Sequence, residues 1–156
     1  MDRRRTAPRQ PMAILCADDD ADDRLLLRDA LHQSKLANPL HFVEDGEELM
    51  SYLRHQGRYT DPATSPRPGL ILLDLNMPRK DGREALGEIK ADPGLRTIPV
   101  IVLTTSAAEV DILHSYDVGA NSYIMKPVSF EELVQVVRDL GRYWFQIVEL
   151  PVGDMA

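Results

Sequence analysis

The sequence predicts an α/β fold: a doubly wound sandwich with helices on both faces of a parallel, five-stranded sheet. Three observations carry that prediction. Short apolar runs alternate five times with longer amphipathic stretches along the chain. Runs such as Leu70-Ile71-Leu72-Leu73 and Val100-Ile101-Val102-Leu103 are apolar at every position, not at every second one. Strands of that kind are buried on both faces, as in a parallel sheet covered by helices. The length, 156 residues, suits one domain. Strict alternation of strand and helix with right-handed crossovers then gives the sandwich.

The elements follow in order. Ala13-Ile14-Leu15-Cys16-Ala17 is the first strand, and Leu25, Leu26, Leu27, Ala30 and Leu31 form a wide apolar stripe on the helix after it. Leu40-His41-Phe42-Val43 is the second strand, and a helix runs from about Gly46 to His55. Residues 57–69 hold Gly57, Pro62, Pro66, Pro68 and Gly69 and form the longest loop. Leu70–Leu73 leads into Asp74, and a helix covers Arg83–Lys90 until Asp92, Pro93 and Gly94 stop it. Pro99–Leu103 is the fourth strand; Val110, Ile112 and Leu113 mark a fourth helix, which Gly119 ends. Tyr123-Ile124-Met125 is the fifth strand. Ser129 opens the fifth helix, with Glu132 three residues on completing a capping box.

Charge narrows the function. The chain carries a formal −7. Four arginines and one aspartate make residues 1–11 a basic tail, read as flexible and solvated, and leave the remainder more acidic still. An acidic body suits neither nucleic acid, whose affinity rests on Lys and Arg against phosphates, nor an anionic membrane. No apolar run approaches a membrane span. Arg3, Arg4 and Arg5 lack the apolar stretch of a secretory signal behind them. The lone Cys16 forbids an intramolecular disulfide and fits a reducing, cytoplasmic setting; on the first strand it reads as a small buried hydrophobe.

The chemistry sits at the strand ends. Ligands of doubly wound sheets bind beyond the C-terminal ends of the strands, at the switch point. Asp18, Asp19 and Asp20 follow the first run, Asp74 the third, Thr104-Thr105-Ser106 the fourth and Lys126 the fifth. Only the second run ends less distinctively, in Glu44-Asp45-Gly46. The flavodoxin-like strand order 2-1-3-4-5 would bring the first and third ends together, so that Asp18, Asp19 and Asp74 share one shallow pocket. Three carboxylates so close repel each other unless a cation sits among them. Hard oxygen ligands suit Mg²⁺ (or Mn²⁺), and a lysine supplies a point charge for phosphate oxygens. Such a set can place a phosphoryl group on an aspartate.

The segments "ILCADDDADDR", "LILLDLNMPRKDG", "IPVIVLTTS" and "NSYIMKPV" resemble the receiver domains of two-component response regulators, in the right order and over about residues 12–141. The resemblance implies that Asp74 accepts a phosphoryl group from a histidine kinase. It implies metal ligation by Asp19, Asp74 and the backbone carbonyl of Asn76, with Asp18 acting through water. Thr104 becomes the switch hydroxyl, Lys126 the phosphate-contacting cation and Tyr123 the switch aromatic. Output would pass through the surface of the fourth helix, fifth strand and fifth helix. Asn76 and Ser106 offer no general base, so accelerated dephosphorylation is not expected. The loop at 57–69, the "LTTS" segment and the tail "RYWFQIVELP" further resemble single-domain regulators paired with phytochrome-type, light-sensing histidine kinases.

The remaining polar residues read as structural. Asp20 caps the first helix, and Asp22 and Asp23 sit in its first turn, where the dipole favours acids. His32, His41, His55 and His114 show no metal spacing. Residues 142–156 depart from a minimal receiver: Tyr143, Trp144, Phe145, Ile147, Val148 and Leu150 form an apolar extension, read as the self-association surface of a homodimer. The chain therefore reads as a stand-alone phosphorylatable switch, acting on a protein partner or as a phosphorelay step, and not as an enzyme. A haloacid-dehalogenase-like aspartyl phosphatase, the alternative, needs an acid where Asn76 stands. A dinucleotide-binding or flavin module lacks its Gly-rich phosphate loop.

Overall fold

The computed structural model describes residues 12–34, 38–104, 122–125 and 129–142. Five strands form one sheet: β1 (Ile14–Ala17), β2 (Leu40–Val43), β3 (Leu70–Asp74), β4 (Val100–Thr104) and β5 (Ser122–Met125). The order is β2-β1-β3-β4-β5 and every pairing is parallel. The helices described are α1 (Ala21–Gln33), α2 (Gly46–Leu53), α3 (Gly82–Ala91) and α4 (Phe130–Leu140), with a 3-10 turn at Gly57–Tyr59. The α4 helix is the one expected fifth in sequence. The helix expected around Val110–Leu113, the basic tail, and the extension from Tyr143 onward lie outside the described residues.

The unbroken apolar runs are explained by burial on both faces. Leu15, Ala17, Ile71 and Leu73 point to one side and pack with Leu49, Leu53, Leu86 and Ile89 of α2 and α3. Ile14, Cys16, Leu70 and Leu72 point to the other and pack with Leu27, Leu31, Val134 and Val137 of α1 and α4. A strand alternates its side chains between faces, so β1 and β3 need apolar residues at each position. Cys16 is accordingly buried among hydrophobes. At the sheet edge, Leu40, His41 and Phe42 of β2 are only partly covered. Burial lowers the pKa of His41.

Each described α-helix opens on an acidic or hydroxyl cap. Asp20 accepts from the N–H groups of Asp22 and Asp23 (2.8 and 3.1 Å), Asp45 from Glu48 (2.7 Å), Asp81 from Glu84 (2.9 Å) and Ser129 from Glu132 (3.1 Å). These bonds satisfy N–H groups that have no partner within the helix. The capping box at Ser129 is one-sided: the Ser129 hydroxyl lies 3.2 Å from the Glu132 carboxylate, in place of the reciprocal bond to the Ser129 backbone.

The α2 helix stops at Leu53, two residues before its expected end. Gln56 N–H reaches the Ser51 carbonyl (2.8 Å) and His55 N–H reaches Tyr52 (3.1 Å), which is a Schellman stop. His55 takes the left-handed position at φ 53° that glycine usually fills, and its Nε2 lies 2.9 Å from the Ser65 carbonyl. Tyr52 Oη donates to the Pro66 carbonyl (2.9 Å), and the Tyr52 and Tyr59 rings stand 5.2 Å apart. Residues 57–69 are thus held against α2, at the opposite end of the sheet from Asp74.

Two glycines of α3 separate packing from propensity. A Cβ on Gly82 would stand 2.5 Å from the Asp74 carbonyl oxygen and 2.7 Å from Leu75 Cα, whereas one on Gly87 would meet nothing within 4 Å. Gly87→Ala is expected to raise stability by about 0.5–1 kcal/mol through helix propensity. Gly82→Ala should lower it by about 1–3 kcal/mol, because the backbone at the end of β3 must shift. Urea midpoints of the two variants check the opposite signs.

Candidate functional site at the ends of β1 and β3

Sheet order builds the site. Because β1 and β3 are neighbours and Ala17 pairs with Leu73 in register, the residues that follow, Asp18 and Asp74, lie side by side. Asp18 and Asp74 are 4% and 6% exposed, while Asp19 stands on the open rim. The three carboxylates each present an oxygen within 4.8 Å of the others. At that separation each ionised pair repels by roughly 3–4 kcal/mol for an effective dielectric near 20.

The carboxylates are held by local backbone. Asp18 Oδ1 accepts from Asp20 N–H at 2.9 Å and Asp74 Oδ1 from Asn76 N–H at 3.2 Å. The main chain of Asp18 is fixed twice more: its N–H donates to the Val43 carbonyl (3.0 Å), and its carbonyl accepts from Arg24 Nη1 (2.8 Å). A cluster of three carboxylates offers hard oxygen donors without thiol or imidazole, which fits Mg²⁺ or Mn²⁺ and excludes a soft metal.

The other predicted residues are placed by element and register only where they are described. Asn76 is exposed on the loop that leaves β3. Thr104 ends β4, one position beyond Leu103, the register partner of Asp74. Tyr123 lies in β5 opposite Val102. For Thr104 and Tyr123 only the strand position is described. Lys126 and the extension residues Tyr143, Trp144, Phe145 and Ile147 lie outside the described residues, as does His114. Asp20 is a helix cap, as expected.

The turn set aside in the sequence proves to be the structural neighbour of the site. Asp45 is 4% exposed. Its Oδ2 pairs with both Nε (2.8 Å) and Nη2 (2.7 Å) of Arg79 on the loop between β3 and α3. Burial pushes the Asp45 carboxyl upward, but the Glu48 N–H and the Arg79 guanidinium outweigh it and leave the pKa below its ordinary value. Arg79 sits at φ 64°, a left-handed conformation unfavourable for a residue with a Cβ. Gly46 N–H donates to the Lys80 carbonyl at 2.8 Å, and a Cβ there would stand 2.0 Å from that oxygen. Lys80 pairs with Glu88, which lies 3.5 Å from Arg54. An Asp-Gly pair after a strand signals only a turn and a cap; nothing local in the sequence points from Asp45 to an arginine 34 positions on.

Comparison with known proteins meets this geometry from the other side. Residues 14–138 match the model of the response regulator receiver domain. Response regulator Rcp1 of Synechocystis is 43% identical over 143 residues, covering 92% of this chain and 95% of Rcp1. The crystal structure of the phosphorylated cyanobacterial phytochrome response regulator RcpA is 46% identical with a TM-score of 0.77, over 87% of this chain and 95% of RcpA. The Mn²⁺-bound form of Rcp1 is 42% identical with a TM-score of 0.76, over 88% and 96% of the two chains. Among the described residues, no helix is long and apolar enough to cross a membrane. A parallel sheet that sets an acid pair beside a lone aspartate, in a chain matched to these proteins over most of its length, places it plainly: it belongs to the family of response regulator receiver domains.

Proposed function

We propose that the chain is a stand-alone signalling switch whose Asp74 accepts a phosphoryl group from a histidine kinase. The observation that carries this reading is the convergence of Asp18, Asp19 and Asp74 within 4.8 Å at the ends of β1 and β3. In the proposed reaction a carboxylate oxygen of Asp74 attacks phosphorus in line. The phosphorus–nitrogen bond of the kinase phosphohistidine breaks, and the imidazole leaves. Asp19, Asp74 and the Asn76 carbonyl would hold the divalent cation, with Asp18 contributing through water. Bound there, Mg²⁺ or Mn²⁺ neutralises charge on the transferred group. Lys126 would contact the phosphoryl oxygens.

The aspartyl phosphate brings a charge of about −2. In the proposed switch Thr104 and Tyr123 turn inward toward it, and the surface built by β5 and the helices on either side of it changes its affinity for a protein partner. Asn76, and Ser106 outside the described residues, supply no base for water, so autodephosphorylation is proposed to be slow. The identity to RcpA and Rcp1 supports a phytochrome-type kinase as the donor. The acidic body and single cysteine support a cytoplasmic setting without nucleic acid or membrane as partner. Residues 12–141 are proposed as the receiver, 1–11 as a basic tail and 142–156 as the self-association element of a homodimer.

Four outcomes test this. Asp74→Asn should take up no phosphoryl group from acetyl phosphate or phosphoramidate with Mg²⁺, as read by labelling; uptake at the wild-type level sinks the assignment. Mg²⁺ should raise the melting temperature, by the equivalent of about 2.7 kcal/mol at a hundredfold excess over Kd. Asp19→Asn should melt higher than wild type without metal, because one repelling charge is gone, and should respond less to Mg²⁺. Removing residues 142–156 should shift the chain from dimer to monomer on size-exclusion chromatography with light scattering.

A further inference from the structure

We propose that the turn between β2 and α2, Glu44-Asp45-Gly46, is a positioning brace for the metal-binding carboxylates, acting chiefly through the Asp45–Arg79 pair on the loop between β3 and α3. The inference rests on the reading that Asp18, Asp19 and Asp74 hold a divalent cation. Asp45 and Arg79 would touch neither metal nor phosphoryl group. They would act by fixing the backbone that presents the ligands.

Both loops of the site are tied to this one turn. On the β1 side, Asp18 N–H is bonded to the carbonyl of Val43, immediately before the turn, and Arg24 joins the Asp18 carbonyl at 2.8 Å to Glu44 at 3.7 Å. On the β3 side, Gly46 N–H holds the Lys80 carbonyl, and Asp45 grips the Arg79 guanidinium at 2.7 and 2.8 Å. Between Asp74 and Arg79 lie only four residues, among them Asn76, whose N–H orients Asp74 Oδ1.

The backbone of Arg79 makes the pair more than a surface contact. Glycine or asparagine would take φ 64° at lower cost. An arginine stands there although it opposes the conformation, and its guanidinium meets a carboxylate buried at the foot of α2. Asp45 spends Oδ1 on the Glu48 N–H and Oδ2 on Arg79, so helix start and loop are locked to one side chain. Groups that orient metal ligands without touching the ion commonly change affinity by tenfold or more when removed.

The test uses the full chain and separates bracing from folding. Asp45→Asn keeps an oxygen for the helix cap but loses the ion pair. Arg79→Gly relieves the backbone and loses the guanidinium. Arg79→Lys keeps the charge without the fork. Mn²⁺ affinity is measured by calorimetry, and acetyl-phosphate labelling is followed against Mg²⁺ concentration. Arg79→Gly and Asp45→Asn are each expected to weaken Mn²⁺ binding roughly tenfold, with Arg79→Lys between them and wild type. The double variant should be no weaker than the worse single one. The Mg²⁺ concentration for half-maximal labelling should rise by the same factor, with the rate at saturating Mg²⁺ kept within about twofold. Arg67→Gln, which removes the contacts of Arg67 with the Gly94 carbonyl and Thr97 ahead of β3 and β4, should bind Mn²⁺ as wild type does. The brace is overturned if Arg79→Gly and Asp45→Asn melt cooperatively and bind Mn²⁺ within twofold of wild type while Asp74→Asn loses it. Should Arg79→Gly not fold, Arg79→Lys and Asp45→Asn decide by the same measure. A wild-type chain that binds no Mn²⁺ overturns the metal reading itself, and the brace with it.

Discussion

Everything at the functional end of this molecule depends on one unfavourable interaction, the mutual repulsion of Asp18, Asp19 and Asp74. The sheet order makes it unavoidable. With β1 beside β3, the residue after Ala17 must lie next to the residue after Leu73. A fold that gathers three carboxylates within 4.8 Å needs rigidity from elsewhere, since the charges would otherwise push their loops apart. That rigidity comes first from the two central strands, whose side chains are buried on both faces. It comes next from the backbone N–H groups of Asp20 and Asn76, which donate to Asp18 Oδ1 and Asp74 Oδ1.

Gly82 shows how closely the helices follow from this arrangement. The first turn of α3 lies against the Asp74 carbonyl with no room for a Cβ, and Gly82 N–H donates to the Leu75 carbonyl at 3.0 Å. The segment between Asp74 and α3 is therefore anchored at both ends, by the strand and by the helix, and at Arg79 in its middle by Asp45. A loop fixed at three points presents a defined set of oxygens to a cation, as coordination of a small hard ion requires.

The sequence carried the layer architecture because that rests on local pattern. Double-sided burial leaves runs such as Leu70–Leu73 apolar throughout, and caps such as Asp20 and Ser129 stand at fixed offsets from the residues they serve. The acid cluster was legible for a related reason: an aspartate after an apolar run can only sit at the strand end. Helix ends were less legible. His55 terminates α2 in a left-handed conformation that its side-chain type does not advertise, and it does so through the Schellman bonds of its neighbours and its own contact with Ser65. Least legible was the Glu44-Asp45-Gly46 turn. Its meaning lies in contacts with Arg24, Arg79 and Lys80, up to 34 positions away, and only the folded chain brings them together.

These pairings also answer an electrostatic question. A site built to attract a cation gains nothing from arginines that discharge it, yet Arg24 and Arg79 both reach its loops. Arg79 spends its charge on Asp45, and Arg24 on the Asp18 carbonyl and Glu44. None of these acceptors belongs to the three clustered carboxylates. An ion pair falls off with distance faster than a single charge, so a paired arginine offsets the repulsion among the three carboxylates less than an unpaired one would. The acids of the second strand end thus make contacts distinct from those of the first and third. They pair with the arginines that reach the site's loops, and none of them belongs to the cluster of Asp18, Asp19 and Asp74.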